Sequence, residues 1–450
     1  MKFGGSCLRD TSSVSRIRSI VSVERRCILV VSAISGVTDS IMGAITGRLS
    51  EKGIESFSRS LAAIHTGMLS EFCSGEQLRR HTDEINRIVG SFSRILFGVY
   101  YTGELTQRTK ALLLSFGERL SARVVAAAID AGGRRTRVFD ADALPLLTDN
   151  NYENGNALLK PTRRKAGPKL KKALEEGLMP VVTGFFGTNG DGHVTLLGRN
   201  GTDYSASVIA YAVGAGRLVI WKDVDGFLTA DPDFVPSAKL ISELSYDEAS
   251  ELSYFGANVL HPKAVEPAEE GNIRIRIRNM DKPFSDGTLV TSGRKKTAGI
   301  VKSVSCLKNL AIVRVYVSGG GFQSGTISHI SGFIGRAGVN IMSATTSQTC
   351  IAFLVQSSDL DMAVAALRDR TNNGIEKIET ERQVALMCVV GEGLGTTRGI
   401  AARVFTAISK IGVNVGMMSA GASRAAYHFT VKMNALKSAM NAVHGAFFGD

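Results

Sequence analysis

Short apolar runs that end in glycine, serine, threonine or aspartate, each followed by a helical pattern, recur along much of this chain. The run at 27–32 leads into SGVTD, the run at 194–197 into two glycines, and the run at 217–222 into two aspartates and a glycine. Strands that alternate with helices form a largely parallel sheet covered by helices. Ligands in such folds bind beyond the carboxyl ends of the strands. We therefore expect a three-layer α/β sandwich with its site at these turns.

The stretch VTLLGRNGTDYSA at 194–206 predicts a strand end, a glycine turn and a helix start. Free backbone N–H groups at a helix start form a ready anion site. Arg199 can pair with a carboxylate, whereas Asp203 repels a bare phosphate. The pair favours either a ligand with a carboxylate and an ammonium group, or a phosphate with a metal ion. The alternative is an ordinary helix cap beside a surface arginine.

Composition bounds the class of protein. A chain of 450 residues, 44% hydrophobic and 21% charged, predicts two or three globular domains of about 150 residues each. No apolar run approaches the roughly 20 residues that span a bilayer, and no signal peptide is evident. The six cysteines are scattered without metal-binding spacing, which favours reduced thiols, a cytoplasmic location and no protein metal site.

The net charge of +12 raises the possibility of nucleic-acid binding. The basic residues are dispersed, however, and neither zinc-finger spacing nor an RNA-binding aromatic motif is present. An anionic substrate such as ATP suits a basic protein equally well. We therefore expect a small-molecule ligand, with neither nucleic acid nor a membrane as partner.

The C-terminal part contains a diverged repeat. The segments 314–355 and 387–431 share the order strand, glycine turn, helix, Gly-Val-Asn, strand, turn, strand. The segment before them, 285–296, loses the hydrophobic pattern and predicts a domain boundary. We expect a first domain at 1–293 and two small α+β modules behind it.

We predict strands at 310–317, 340–346, 350–357 and 375–382 in the first module and at 384–390, 413–420 and 424–432 in the second. The second module is therefore one strand short of the first, which would leave an open sheet edge beside the strand predicted at 384–390. The alternating segment at 299–305 has no partner of its own and is predicted to fill that edge. The first module, 310–383, is then inserted within the second, which consists of 298–309 and 384–450.

The opening segment KFGGS carries the residue types that phosphoryl transfer needs. Lys2 supplies positive charge, and the turn at Gly4 and Gly5 supplies backbone N–H groups. Neither a Walker A loop nor the protein-kinase motifs are present. Taken alone, KFGG is also explained as a structural turn, and Glu118 as a carboxylate in the first turn of a helix.

Six motifs in order resemble the aspartokinases of the amino acid kinase family: KFGGSC (2–7), VVSAISGVTD (30–39), SFGERLSA (115–122), GRNGTDYSA (198–206), WKDVDGFLTADP (221–232) and LSYFGANVLHP (252–262). The repeat resembles their tandem ferredoxin-like ACT domains. The resemblance implies ATP-dependent phosphorylation of the side-chain carboxylate of L-aspartate, with Mg²⁺, as the first step towards lysine, threonine and methionine. It also implies feedback by lysine or threonine at the ACT domains and a homodimer or homotetramer joined through them.

The resemblance also assigns roles to individual residues. Catalysis is implied for Lys2 and Asp203. Aspartate binding is implied for Ser32, Thr38, Glu118, Arg199 and Thr202. ATP binding is implied for Lys2, Gly4, Gly5, Ser6, Lys222, Asp223, Phe227, Asp231 and Asn258. Effector binding is implied for Gly319, Gly320, Gly321, Asn340 and Ile341.

Four departures from the family pattern lie in the segments that are expected to bind the nucleotide. Many relatives have threonine at Lys222, tyrosine at Phe227, arginine at Asp233 and lysine at Asn258. Lys222 or Lys263 is therefore expected to replace a missing nucleotide contact. The departures also leave open a catalytically weak amino-acid sensor. A kinase for glutamate or carbamate is a further alternative, although the ACT pair argues against it.

Overall fold

The computed structural model describes residues 1–47, 49–257, 259–292, 299–317, 324–368 and 374–449. The fold divides into two compact units. The first unit comprises Met1–Gly226, Ser242–Tyr246 and Val259–Gly293, and the second comprises Phe227–Ile241, Asp247–Asn258 and Arg294–Asp450. The second unit therefore includes two segments that precede the domain boundary predicted near 293. The predicted domain limits themselves stay a prediction.

The strands of the first unit are short and mostly buried. They are β1 (Lys2–Phe3), β2 (Leu29–Val31), β3 (Thr136–Phe139), β4 (Met179–Thr183), β5 (Phe186–Thr188), β6 (Val194–Leu196), β7 (Arg217–Lys222), β8 (Glu243–Ser245), β9 (Arg274–Asn279) and β10 (Thr288–Thr291). Eight of them form a sheet in the order β3-β4-β2-β1-β7-β9-β10-β8. Its neighbours are parallel except for β9 and β10, which confirms the mainly parallel α/β sheet. Strands β5 and β6 form a separate hairpin.

Helices connect these strands. They are α1 (Thr11–Ser22), α2 (Val37–Thr46), α3 (Glu51–Ser70), α4 (Gly75–Thr102), α5 (Gln107–Leu114), α6 (Phe116–Asp130), α7 (Leu159–Glu175), α8 (Gly201–Val213), α9 (Tyr246–Tyr254) and α10 (Val265–Glu270). Of these, α9 belongs to the second unit except for Tyr246. Side-chain caps fix several starts, as where Asp10 accepts a hydrogen bond from the backbone of Ser13. None of the helices described is long and apolar enough to cross a membrane.

The central strands are buried on both faces, as parallel strands between helix layers must be. Every residue of β2 and β4 is buried. Strand β9 instead alternates, with Ile275 and Ile277 fully buried and the arginines between them partly exposed. The same alternation of isoleucine and arginine is visible in the sequence at 272–280.

A cavity of about 1160 Å³ lies beside the short strand β1. Only Lys2 and Phe3 of β1 pair with β2 and β7. The lining of the cavity includes Ile28, Arg217 and Arg274 near the amino ends of their strands, and Trp221 and Arg278 towards the carboxyl ends. Among its described lining residues, none is predicted to bind aspartate or ATP, so this cavity is not the site predicted from the turns.

The second unit is built on an antiparallel sheet in the order β12-β13-β11-β14-β16-β15. Its strands are β11 (Ser303–Val317), β12 (Ser343–Thr346), β13 (Cys350–Gln356), β14 (Ile375–Val390), β15 (Met418–Ala420) and β16 (Ala426–Lys432). Its helices are α11 (Thr326–Arg336), α12 (Leu360–Arg368), α13 (Ile400–Lys410) and α14 (Leu436–Phe448). The two copies of the repeat each contribute two of the helices, and the copies share one continuous sheet.

The pairing predicted for the segment before 306 is found. Ser303 pairs with Val390 and Cys306 with Met387, which places this segment beside the strand of the second copy. Residues 299–302 precede the strand, although the backbone N–H of Lys302 still donates to the carbonyl of Val390.

The prediction was wrong in one respect. It gave separate strands at 299–305 and 310–317, and again at 375–382 and 384–390. Each pair is a single long strand, β11 or β14. The register between them shifts near Leu307 and Leu310, where Asn309 and Gln383 adopt positive φ angles. Both strands therefore run through both modules.

Candidate active site

Two lysines and one aspartate meet in the first unit. Lys2 lies on β1, Asp203 in the first turn of α8 and Lys222 at the end of β7. The Lys2 ammonium is 2.6 Å from Oδ1 of Asp203, and the Lys222 ammonium is 2.9 Å from Oδ2. The backbone N–H of His261 also donates to Oδ2, at 3.2 Å. The parallel pairing of β1 with β7 brings the lysines together, since Lys2 is opposite Ile220.

Burial changes the pKa values of the charged groups in this cluster. Asp203 is fully buried and Lys2 is only 4% exposed. Burial alone would raise the pKa of Asp203, but the ammonium groups of Lys2 and Lys222 lower that pKa to about 2. Burial lowers the pKa of Lys2, against the opposing effect of Asp203. With all three groups ionised, the cluster carries one net positive charge and suits an anion.

The glycine turn after β1 makes room for the Lys2 side chain. A Cβ atom on Gly4 would lie 2.6 Å from the Lys2 ammonium nitrogen. The turn continues as a short 3₁₀ helix at Gly5–Cys7. The Ser6 hydroxyl donates to Oδ1 of Asp223 at 3.2 Å, linking the turn to the segment after β7. Four of the predicted nucleotide residues, Gly4, Gly5, Ser6 and Asp223, therefore lie close together.

Glu118 is a buried carboxyl group in the first turn of α6, only 2% exposed. Its Oε1 accepts hydrogen bonds from the backbone of Ala33 at 3.0 Å and the hydroxyl of Ser32 at 3.4 Å. Among the residues described, its Oε2 has no hydrogen-bond partner. Burial raises the pKa of Glu118 from 4.5 to about 8, although these hydrogen bonds oppose the rise. A ligand that brings a positive charge would relieve this cost.

The remaining predicted aspartate residues surround the same strand ends. A Cβ on Gly117 would lie 2.8 Å from the Ala33 side chain and 3.7 Å from the Thr38 hydroxyl, so α6 packs closely on the turn at 33–38. Thr202 is buried beside Gly184, where a Cβ would lie 2.4 Å from the threonine methyl group. Both contacts need glycine, which lets the turns after β2 and β4 approach the helices.

Arg199 is exposed in the turn between β6 and α8. Within the described parts of the chain it forms no ion pair, so its guanidinium is available to a ligand. The turns around it are conformationally unusual, because Asn200 and Phe185 both have φ angles in the left-handed region, at 59° and 69°. The Phe185 carbonyl accepts a hydrogen bond from Leu197 at 2.8 Å, which ties the two turns together. Strained backbone of this kind is frequent at functional sites.

Other predicted residues lie in the second unit or outside the described residues. Phe227 is fully buried, and Asp231 lies 3.8 Å from the Lys308 ammonium. Asn340 is exposed and Ile341 half-buried, just before β12. Asn258, Gly319, Gly320 and Gly321 lie outside the residues that the structure describes.

Sequence reasoning missed several residues around the site. Arg119 and Arg123 pair with Asp140 and Asp142, which links α6 to the segment after β3. Arg119 ends the SFGER motif and Arg123 lies four residues later, which places both on one helix face, a signal that was available. The contact of His261 with Asp203 is made by backbone and leaves no such signal.

The described residues contain no cluster of three or more histidine, cysteine, aspartate or glutamate side chains suited to a metal ion. Asp223 is exposed and accepts a hydrogen bond from the Ser6 hydroxyl, which places one carboxylate beside the glycine turn at Gly4 and Gly5. Mg²⁺ commonly binds one or two carboxylates together with substrate phosphates. The donor set therefore fits a Mg²⁺ ion that arrives with a nucleotide.

Comparisons with known families agree with this geometry. A model of the amino acid kinase family matches residues 1–279. A model of the ACT domain matches residues 387–447. The first match covers more than half of the chain and contains the lysine–aspartate cluster and Glu118.

Curated relatives are similar over the whole chain. Aspartokinase 1, chloroplastic, of Arabidopsis thaliana is 29% identical over 465 residues, which cover 100% of this chain and 80% of the relative. The bifunctional aspartokinase/homoserine dehydrogenase 2, chloroplastic, of Zea mays is 30% identical, over 99% of this chain and 50% of the relative. The chain thus matches about half of the bifunctional protein.

Solved structures give the same result. E. coli aspartokinase III in complex with aspartate and ADP, in the R-state, is 25% identical with a TM-score of 0.85, and 99% of each chain is covered. The same enzyme with lysine and aspartate, in the T-state, gives 24% identity and a TM-score of 0.81, over 99% of this chain and 98% of that one.

Proposed function

We infer that this chain, which belongs to the amino acid kinase family, is an aspartate kinase that transfers the γ-phosphoryl group of ATP to the side-chain carboxylate of L-aspartate. The observation that carries the proposal is that two sites suited to ligand groups of opposite charge lie beside adjacent strands. The Lys2–Asp203–Lys222 cluster has excess positive charge, and Glu118 has a free buried oxygen. Strands β1 and β2 are neighbours, so a ligand with phosphate at one end and an ammonium at the other suits them together.

The acceptor is held by groups of complementary charge. Glu118 receives the aspartate ammonium, with the hydroxyls of Ser32 and Thr38 close by. Arg199 receives a carboxylate of aspartate as a bidentate guanidinium fork, and Thr202 adds a hydroxyl. A glutamate or carbamate kinase would need a different acceptor clamp. The relatives named above, all aspartokinases, support aspartate.

The donor is ATP, held by the opening turn and the lysines. The N–H groups at Gly4 and Gly5 cradle phosphate oxygens, while Lys2 stabilises charge on the transferring group. Mg²⁺, bound with ATP and held by Asp223, supplies further charge neutralisation. Asp203 keeps both lysines in position. The ADP in the aspartokinase III complex supports a nucleotide co-substrate.

The second candidate function is a catalytically weak amino-acid sensor. The departures at Lys222, Phe227, Asp233 and Asn258 favour it. Against it, the structure keeps a buried aspartate paired to two lysines, which is costly to retain without an anionic ligand. The kinase is therefore the better account.

Regulation is proposed at the ACT modules. An end-product amino acid, lysine or threonine, binds near Asn340 and Ile341 and the segment that contains Gly319, Gly320 and Gly321. The lysine-bound T-state named above supports a lysine-type effector only through the shared fold. A homodimer or homotetramer joined through these modules and a cytoplasmic location belong to the same proposal, although the plant relatives are chloroplastic.

Aspartate-dependent ADP release tests the function. The purified chain with ATP, Mg²⁺ and aspartate should release ADP and form an acyl phosphate visible by ³¹P NMR. Glutamate in place of aspartate should give little product. A folded chain that releases no ADP with aspartate, but still binds lysine or threonine, would support the sensor instead.

A further inference from the structure

We propose that Lys222 is a catalytic residue: it contacts the transferring phosphoryl group as a second lysine beside Lys2. The inference rests on the proposed kinase function and gives a defined role to one of the departures from the family pattern. It also decides between the two lysines, Lys222 and Lys263, that are candidates to replace a missing nucleotide contact.

The first step is the geometry of Asp203. Its Oδ1 is paired with Lys2 at 2.6 Å and its Oδ2 with Lys222 at 2.9 Å. An ammonium group has three N–H donors, and this contact uses one donor of Lys222. The Lys222 side chain is 12% exposed, so its remaining donors are near solvent, whereas Asp203 is sealed from it.

The cluster of Lys2, Asp203 and Lys222 carries one more positive charge than negative charge. Lys2 alone would neutralise Asp203, and a second cation with only 12% of its side chain exposed would then be a cost unless an anion joins it. The surplus positive charge sits on β1 and at the carboxyl end of β7, next to the glycine turn at Gly4 and Gly5. The anion that such a turn accepts is a phosphate.

Lys263, the other candidate to replace the missing nucleotide contact, already has three hydrogen-bond acceptors. The Lys263 ammonium donates to Oδ1 of Asn154 at 2.9 Å, to the Asn154 carbonyl at 3.3 Å and to the Gly155 carbonyl at 3.5 Å. Its three donors therefore hold the loop at 154–155, and Lys263 is a positioning residue for that loop. Lys222 is the lysine that remains for phosphate.

The role in the reaction follows from the charge balance. An oxygen of the aspartate side-chain carboxylate forms a bond to the γ-phosphorus, while the bond from that phosphorus to the β,γ-bridging oxygen breaks. The bridging oxygen leaves with the electron pair as part of ADP, and no proton transfer is required. Lys2 and Lys222 both stabilise the negative charge on the oxygens of the group in transit.

The test compares Lys222→Gln with Lys222→Arg and with Lys282→Gln. Lys282 is a matched control, because it also pairs with a carboxylate after β7, Asp225 at 2.7 Å, but is exposed. Lys222→Gln should lower kcat about 10²-fold with a much smaller change in the KM for aspartate. Lys222→Arg should recover part of the loss, and Lys282→Gln should stay near the parent.

A binding measurement separates this inference from the proposed function. Titration calorimetry with ADP, Mg²⁺ and aluminium fluoride, which mimics the group in transit, needs no turnover. Lys222→Gln should weaken the aluminium fluoride complex at least tenfold more than it weakens ADP alone. Equal weakening of both, or no weakening of either, would overturn the role of Lys222. A parent chain without aspartate-dependent ADP release would instead overturn the kinase function.

Folding of the variants is checked by circular dichroism melting. If Lys222→Gln does not fold, Lys222→Arg carries the test, since it keeps the charge on Asp203. Retention of the aluminium fluoride complex by the folded arginine variant supports the inference, and its loss with ADP binding intact would contradict it.

Discussion

At the scale of single residues, the site consists of charged groups held where burial opposes them. Asp203 remains ionised because two lysines lower its pKa to about 2. Glu118 has only neutral donors, and burial raises its pKa to about 8. The two carboxyl groups thus differ in protonation near neutral pH, for reasons that are visible in their partners. Each difference predicts a measurable response.

Glu118 predicts a pH dependence. Its pKa in the folded protein, about 8, lies above the ordinary 4.5, so the folded state binds more protons than the unfolded state between these values. The free energy of unfolding of the ligand-free protein should therefore fall as pH rises from about 4.5 to 8. Glu118→Gln removes this term, so its melting temperature relative to the parent should rise across that range. A parallel pH profile for both proteins would contradict the assignment.

The same variant should bind aspartate poorly. Loss of a charge-assisted contact to the ammonium group should weaken aspartate binding about 10- to 100-fold at pH 8. Below pH 8, aspartate binding by the parent should release a proton, because the ammonium favours ionised Glu118. Calorimetry in two buffers of different ionisation enthalpy measures that proton. No dependence on buffer would exclude Glu118 from the acceptor site.

Substitution of Gly4 should lower activity without lowering stability. Its φ of −79° suits alanine, so Gly4→Ala introduces no backbone strain. The new Cβ would lie 2.6 Å from the ammonium of Lys2, and that flexible side chain must move. We expect a melting temperature close to that of the parent and at least a tenfold lower kcat. Gly43→Ala is the control for alanine substitution, since Gly43 is exposed in α2 and its Cβ would meet no atom within 4 Å. Equal activity of the two variants would contradict the placement of Lys2.

The residues of the site were partly predictable from the sequence. Lys2, Glu118 and Asp203 belong to motifs whose residue types fit the chemistry. The convergence of Lys222 on Asp203 was not predictable, because it depends on the register of β1 against β7. The backbone contact of His261 depends on tertiary placement as well.

At the scale of elements, the parallel sheet followed from local patterns, but strand lengths did not. Apolar runs with polar ends located β2 and β7 because both strands are largely buried. The long strands β11 and β14 were predicted as four, because Asn309 and Gln383 interrupt the alternation. Antiparallel pairing between the modules overrides that local signal.

The edge filled by residues before 306 predicts a sensitive glycine. A Cβ on Gly391 would lie 1.9 Å from the carbonyl oxygen of Ile300, a backbone atom that cannot rotate away. Gly391→Ala should therefore push the segment at 299–302 away from β14 and destabilise the second module by about 2 kcal/mol or more. Thermal melting should show this loss, and hydrogen exchange should show reduced protection at 303–306. Gly395→Ala, whose Cβ meets no atom within 4 Å, is the control. Equal melting temperatures for the two variants would contradict this packing.

At the scale of the whole molecule, chain order and compact units do not coincide. Residues 227–241 include Phe227 and Asp231, which are proposed to bind the nucleotide, yet they belong to the second unit. Ala230 and Val235 are buried in the core formed with Val404 and Phe429. The Thr229 hydroxyl is 2.9 Å from the His444 ring, and the Asn441 amide donates to the Phe234 carbonyl at 2.8 Å. The second module therefore holds a segment that continues from Asp223.

This arrangement predicts that the kinase domain cannot simply be cut free. A chain truncated after Ser292 loses every partner of 227–241 that lies in 303–449, including β11 and α14, and leaves Ala230 and Val235 without their core. We expect that chain to aggregate or to melt well below the full chain in size-exclusion chromatography and circular dichroism. His444→Ala in the full chain removes the Thr229 contact and the ring contact with Phe448, and should lower the melting temperature less than the truncation does. A truncated chain that is monodisperse, with a melting temperature equal to that of the full chain, would show that 227–241 is stable without the second module.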